Sequence, residues 1–159
     1  MGKKNPRRGE AVMVIPDTTG RIWLHTKDFY PTGVYRLMTG GMDPGETPEQ
    51  TLKREAMEET GFAVEIARCL AVVTYKFTNE KSTLPFVSYV FLTQPVNGTP
   101  KPTDAGEAIE SFQTVTAEAL FDMAQQLQHL EGDFADWGRF RAVTHELAAR
   151  TLLLDTTLR

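Results

Sequence analysis

Apolar residues along the first third of the chain fall into short runs, Ala11 to Pro16 and Arg21 to His25, separated by Asp17-Thr18-Thr19-Gly20. Two such runs around a polar, glycine-ended turn predict a β-hairpin. Val34 to Met38 predicts a third strand. The pattern then changes to a helical one. Thr47 suits an N-cap, Pro48 the first helical position, Gln50 the third residue of a capping box, and Gly61 the left-handed residue that ends a helix. Two further strands are expected at Ala63 to Lys76 and Pro85 to Thr93, joined through Asn79-Glu80-Lys81-Ser82-Thr83, and another at Ser111 to Val115. Two helices, Ala117 to Leu130 and Phe134 to Leu152, follow on either side of Glu131-Gly132-Asp133. In the second, Phe134, Trp137, Phe140, Val143 and Leu147 recur at three- and four-residue steps, which predicts an apolar face packed on the core. Strands, one central helix and closing helices suit an α/β fold in which helices cover a mixed sheet.

Length and composition support one domain. The chain has 159 residues, 41% of them hydrophobic, enough for a sizeable core and too many for a disordered protein. Its net charge of −4 argues against a surface that coats nucleic acid. Positive charge gathers only at the start, where Lys3, Lys4, Arg7 and Arg8 mark residues 1–8 as a flexible basic leader to a domain spanning 9–155. Met1-Gly2 begins like a myristoylation site, but Pro6 stands where Ser or Thr is required. No apolar run reaches membrane-spanning length and no signal peptide is visible, so a cytoplasmic protein is expected. The single cysteine, Cys69, agrees with a reducing compartment and reads as a packed thiol on a buried strand. His25, His129 and His145 lack metal-ligand spacing.

The strongest chemical signal lies in the first helix. Glu58 and Glu59 stand three and four residues after Glu55, where like charges repel on an isolated helix, so their clustering calls for a cation. At roughly 100° per residue from Leu52, Ala56 falls near +40°, Glu59 near −20°, Glu55 near −60° and Glu58 near −120°. These acids therefore border the apolar stripe instead of lying opposite it, where burial is costly without a partner. Oxygen-only ligands favour Mg²⁺ or Mn²⁺ over zinc.

From Gly40 to Phe62 the chain resembles the box of the Nudix hydrolase family, G-x5-E-x7-R-E-U-x-E-E-x-G-U with U apolar, and every fixed position is matched. The departures are Thr39, where many relatives have a second glycine, and the small Ala56 in an apolar slot. Neither removes a ligand. The resemblance implies a Nudix-type α/β/α sandwich with a mixed β-sheet that hydrolyses a nucleoside diphosphate linked to another moiety, using Mg²⁺ or Mn²⁺. It implies metal ligation by Glu55, Glu58 and Glu59, with the Gly40 carbonyl as an additional ligand, and a structural pair of Glu46 with Arg54.

The catalytic base in such a family is either a box glutamate, here Glu55 or Glu58, or one from a loop after the sheet. Thr103 to Glu110 offers Glu107 and Glu110. Glu107, beside Gly106, is preferred, because Glu110 directly precedes a strand and alternates with Ile109. The substrate is expected to be a small nucleotide: ADP-ribose or a nucleotide sugar first, a nucleoside triphosphate second. The alternative is a Nudix-like module that senses a nucleotide metabolite without hydrolysing it. Neither nucleic acid nor membrane is expected as partner, and a homodimer is left open. Arg36 could face substrate or solvent.

Overall fold

The computed structural model describes residues 7–103 and 105–157. Among these residues six strands and three α-helices occur in the order β1 (Gly9–Val14), β2 (Ile22–Lys27), β3 (Met38–Gly41), α1 (Pro48–Thr60), β4 (Ile66–Thr78), β5 (Thr83–Thr93), β6 (Ile109–Val115), α2 (Ala117–Gln128) and α3 (Ala135–Thr157). A four-stranded sheet runs β3-β1-β5-β4, and β2 pairs with β6 in a second sheet. The larger sheet is mixed, since β1 is parallel to β5 and antiparallel to β3. Helix α1 lies against β1 and β3, while α3 packs on β4, β5 and α2. The result is the α/β arrangement expected, with helices on both sides of a mixed sheet.

Two strand expectations are corrected. β1 and β2 do form the turn, closed by Asp17, whose carboxylate accepts from the Thr19 amide at 2.9 Å and the Arg21 amide at 3.0 Å. They do not continue as a hairpin, because β1 already gives one edge to β3 and the other to β5, so β2 turns away to β6. The expected strand at Val34 to Met38 begins later, at Met38. Arg36 still exchanges backbone bonds with His25 of β2, at 3.0 and 2.9 Å, so this segment crosses from the small sheet to the large one.

Burial explains two further differences. Cys69 is exposed, because β4 is the outer strand of its sheet. In α3 the expected stripe is displaced: Val143 is exposed, whereas Ala142, Thr144, His145, Ala148 and Ala149 are buried. A helix pressed between α2 and the sheet needs small residues where it approaches both. Among the described residues no helix is long and apolar enough to cross a membrane. Of the expected basic leader, residues 1–6 lie outside the described residues. Arg7 lies 3.3 Å from Asp43, and the Arg8 carbonyl accepts from the Val87 amide at 3.0 Å.

α3 is fastened to the sheet by buried polar bonds. Arg141 Nη1 donates to both carboxylate oxygens of Glu10 on β1, at 2.8 and 2.9 Å, and Ser88 Oγ donates to the same group at 2.7 Å. His145, fully buried, accepts from the Leu37 amide at 2.8 Å on the segment that leads into β3. Burial holds its imidazole pKa down to about 3, consistent with a neutral ring that accepts through Nε2. Arg141→Ala would leave the buried Glu10 carboxylate without its cation and with only the Ser88 hydroxyl, and urea unfolding should show a loss of about 3–5 kcal/mol. Unchanged stability would mean that the pair does not hold α3.

Candidate active site

Helix α1 forms where the caps require it. Thr47 accepts from the Gln50 amide at 3.1 Å while the Gln50 side chain accepts from the Thr47 amide at 2.9 Å, and Gly61 ends the helix at φ 76°. The wheel positions of its acids translate directly into burial. Glu59, nearest the apolar stripe, is 1% exposed, Glu55 is 7% exposed, and Glu58, farthest from it, is only partly buried.

Gly40 explains how Glu55 comes so close to β3. A β-carbon built on Gly40 would lie 2.0 Å from Glu55 Cγ and 2.5 Å from its Cβ. The Glu55 side chain thus crosses the strand where a side chain is missing.

Arg54 organises the other carboxylates. Its Nε and Nη2 donate to Glu46 at 2.8 and 2.9 Å, and Nη2 also reaches the Gly41 carbonyl at 3.0 Å. Nη1 donates to Glu55 at 2.8 Å and Glu58 at 3.3 Å. One guanidinium therefore ties the loop before α1 to two acids on the helix, the fork geometry that suits arginine and not lysine. Chiefly through that bond, Glu46 is held down at about 2. Glu46 also accepts from the Asp43 amide at 2.8 Å and from Thr51 Oγ1 at 3.0 Å, which fixes the loop.

Glu107 arrives from the short 3-10 turn Ala105–Glu107 that precedes β6. One carboxylate oxygen from each of Glu55, Glu58 and Glu107 lies within 4.8 Å of the others. Glu110 is exposed and joins no such group among the described residues. Asp104, in the same loop, lies outside the described residues. Glu59 is not among these three, yet it senses them. Burial, then the charges of Glu55 and Glu107, push its carboxyl up to about 8, and its Oε2 is buried without a hydrogen-bond partner among the described residues. Burial also raises Glu55, against the pull of Arg54.

These features fit a hard divalent cation. The donors are all oxygens, the like charges of Glu55, Glu58 and Glu107 are crowded together, Glu55 and Glu59 are buried, and Glu59 Oε2 lacks a hydrogen-bond partner among the described residues. The Gly40 carbonyl belongs to the same strand end, one residue before the carbonyl held by Arg54.

Reading of the sequence alone passed over Lys27, whose Nζ lies 3.7 Å from Glu107 Oε2. Its only sequence signal is a cation ending a strand, which has no motif. Arg36 is shielded from solvent and makes no ion pair with the acids among the described residues. It is 6% exposed, donates to Tyr30 Oη at 2.8 Å, the Leu37 carbonyl at 2.8 Å and Thr39 Oγ1 at 3.1 Å, and burial pushes it down to about 10. Thr39, in place of a glycine, is therefore used as a polar contact. Tyr75, Phe77, Phe86 and Phe140 form an aromatic cluster between the β4–β5 hairpin and α3. A cleft of about 370 Å³ opens beside the loop before α1, between Arg7, Arg8, Met42, Asp43, Glu46 and Val87.

Comparison with known proteins agrees with this arrangement. The NUDIX domain family model matches residues 6–138. Solved structures of similar fold include a MutT protein from Methanosarcina mazei Go1, at 19% identity over 87% of this chain and 94% of that one, with TM-score 0.61. Another is a MutT Nudix hydrolase from Burkholderia pseudomallei, at 23% identity over 88% and 98%, with TM-score 0.56. A C. elegans Ap4A hydrolase shares 17% identity over 95% and 98%, with TM-score 0.59. No curated protein matches the chain. At these identities the solved structures are likenesses of fold.

Proposed function

This chain belongs to the Nudix hydrolase family, and from that premise we propose that it is a divalent-metal-dependent pyrophosphohydrolase of a nucleoside diphosphate linked to another moiety. The observation that carries the reading is the convergence of Glu107, from a loop before β6, on Glu55 and Glu58 of α1. A third carboxylate brought from a distant loop adds repulsion to Glu55 and Glu58, which a cation bound between the three would offset.

Glu55, Glu58 and Glu59, with the Gly40 carbonyl, would hold Mg²⁺ or Mn²⁺. When bound, such an ion supplies charge neutralisation at the phosphates and lowers the pKa of water. Arg54 sets the carboxylate geometry by tying Glu46, Glu55 and Glu58 into one bonded unit. Glu107 accepts the proton as water attacks phosphorus. The new phosphorus–oxygen bond forms as the anhydride bond breaks, and the departing phosphate carries the anhydride oxygen. Glu55 and Glu58, in the same cluster, are the alternative bases.

The preferred substrates are ADP-ribose and nucleotide sugars, with nucleoside triphosphates second. The exposed free thiol of Cys69 suits a reducing, cytoplasmic setting.

The test is incubation with Mg²⁺ and a panel of these compounds in ¹⁸O-labelled water, read by phosphorus NMR. A nucleoside monophosphate and a phosphorylated partner are expected, with the label on the phosphorus attacked. Saturable binding of a nucleotide without turnover would replace the hydrolase reading with that of a sensor.

A further inference from the structure

The segment that presents Glu107 is held more tightly than an exposed turn requires. Ala108 adopts φ 57°, the only positive φ at a non-glycine residue among those described. A β-carbon disfavours that conformation, so the surroundings must impose it. Its carbonyl accepts from the Asp28 amide at 3.1 Å, just beyond the end of β2. The β2–β6 register shifts at the same place: Thr26 faces Ser111 and Lys27 faces Ile109, which leaves Glu110 unpaired as a bulge. Such a bulge bends its strand and re-aims the residues beside it. Here the bend leaves Glu110 exposed while Glu107 reaches the acids of α1.

Glu107 needs a partner to remain there. Glu55 and Glu58 repel it, and Arg54 has its donors on Glu46, the Gly41 carbonyl, Glu55 and Glu58. Among the described residues the one ion pair that reaches Glu107 comes from Lys27, at 3.7 Å, with side chains only 18% and 20% exposed. The attraction in a pair this shielded from water is screened less than in a fully exposed salt bridge.

We propose that Lys27 is a positioning residue of the hydrolytic site: from the end of β2 its ammonium holds the Glu107 carboxylate beside Glu55 and Glu58. The proposal rests on the hydrolase reading above. Lys27 acts through Glu107 and not on the substrate, so its contribution should vanish when Glu107 can no longer carry charge.

A double-mutant cycle tests this. Lys27→Met keeps the aliphatic stem, removes the charge and should lower kcat by about ten- to a hundredfold, with a much smaller change in KM. Lys27→Arg should recover most of the loss. In a Glu107→Gln background Lys27→Met should cost almost nothing more. In the protein without metal or substrate, hydrogen exchange at the Asp28 amide should quicken in Lys27→Met, while the amides of α1 keep their protection. An equal loss in both backgrounds would overturn the proposal and make Lys27 a direct substrate contact. No loss in either would also overturn it, as would unchanged exchange at Asp28. A wild-type chain that hydrolyses nothing would remove the functional reading, and the exchange measurement would then decide the Lys27 tie alone. An active wild type with a neutral Glu107→Gln would leave the family reading standing and sink the proposal.

Discussion

Glu58→Gln should reduce turnover by at least about a hundredfold while leaving the protein folded. Its side chain is 37% exposed and its ion pair is the longer of those Arg54 makes on α1, at 3.3 Å, so the fold loses little when the charge is removed. The cluster loses one of its three converging carboxylates. A glutamine is almost the same size and still offers an oxygen, but a neutral amide binds a hard cation far less strongly than a carboxylate. Steady-state kinetics on the preferred substrate, with circular dichroism as the control for folding, separates this from a structural effect. Turnover within a few-fold of wild type would remove Glu58 from the site.

Gly40→Ala should be nearly as severe, by a different route. The added carbon would lie 2.0 Å from Glu55 Cγ and 2.5 Å from both its Cβ and Cδ. The Cβ cannot swing away like the end of a flexible chain, so β3 or α1 must move. Overpacking of this kind typically costs about 1–3 kcal/mol, and here the group displaced belongs to the acid cluster. A fall in melting temperature together with at least about a tenfold fall in kcat is expected, since a small displacement of a reacting group carries a large cost. A variant with wild-type stability and rate would mean that Glu55 is free to choose another position.

The box helix was readable in the sequence because everything that specifies it is local. Its caps, its proline and its closing glycine lie within fifteen residues, and the structure reproduces them bond by bond. The acids' distance from the apolar stripe was equally readable, and it orders their burial correctly. Strand partners were not, because pairing depends on which edges other strands have already taken. The run after Gly20 looks like the second arm of a hairpin, yet β1 has no free edge to offer it. Packing of α3 was misjudged for a related reason: apolar size suggested Val143, whereas contact with both α2 and the sheet selects Ala142 and Ala149. Lys27 carried no motif, only a cation at a strand end, since its importance comes from a bulge and a turn that bring Glu107 to it across the second sheet.

The sandwich and the site are thus parts of one construction. β3 supplies the bare Gly40 backbone, α1 supplies Glu55, Glu58 and Glu59, and the β2–β6 sheet delivers Glu107. Arg54 binds the first two together through Glu46 and the Gly41 carbonyl.

The most direct test of metal-dependent hydrolysis at this cluster is the rate of phosphoanhydride cleavage by chelator-stripped protein, before and after Mg²⁺ or Mn²⁺ is added back. The rate should be negligible in the stripped protein, return fully with either ion in the wild type, and remain at least about a hundredfold lower in Glu58→Gln at the same ion concentration. Cleavage that persists in the stripped protein, or that returns equally in Glu58→Gln, would contradict the assignment.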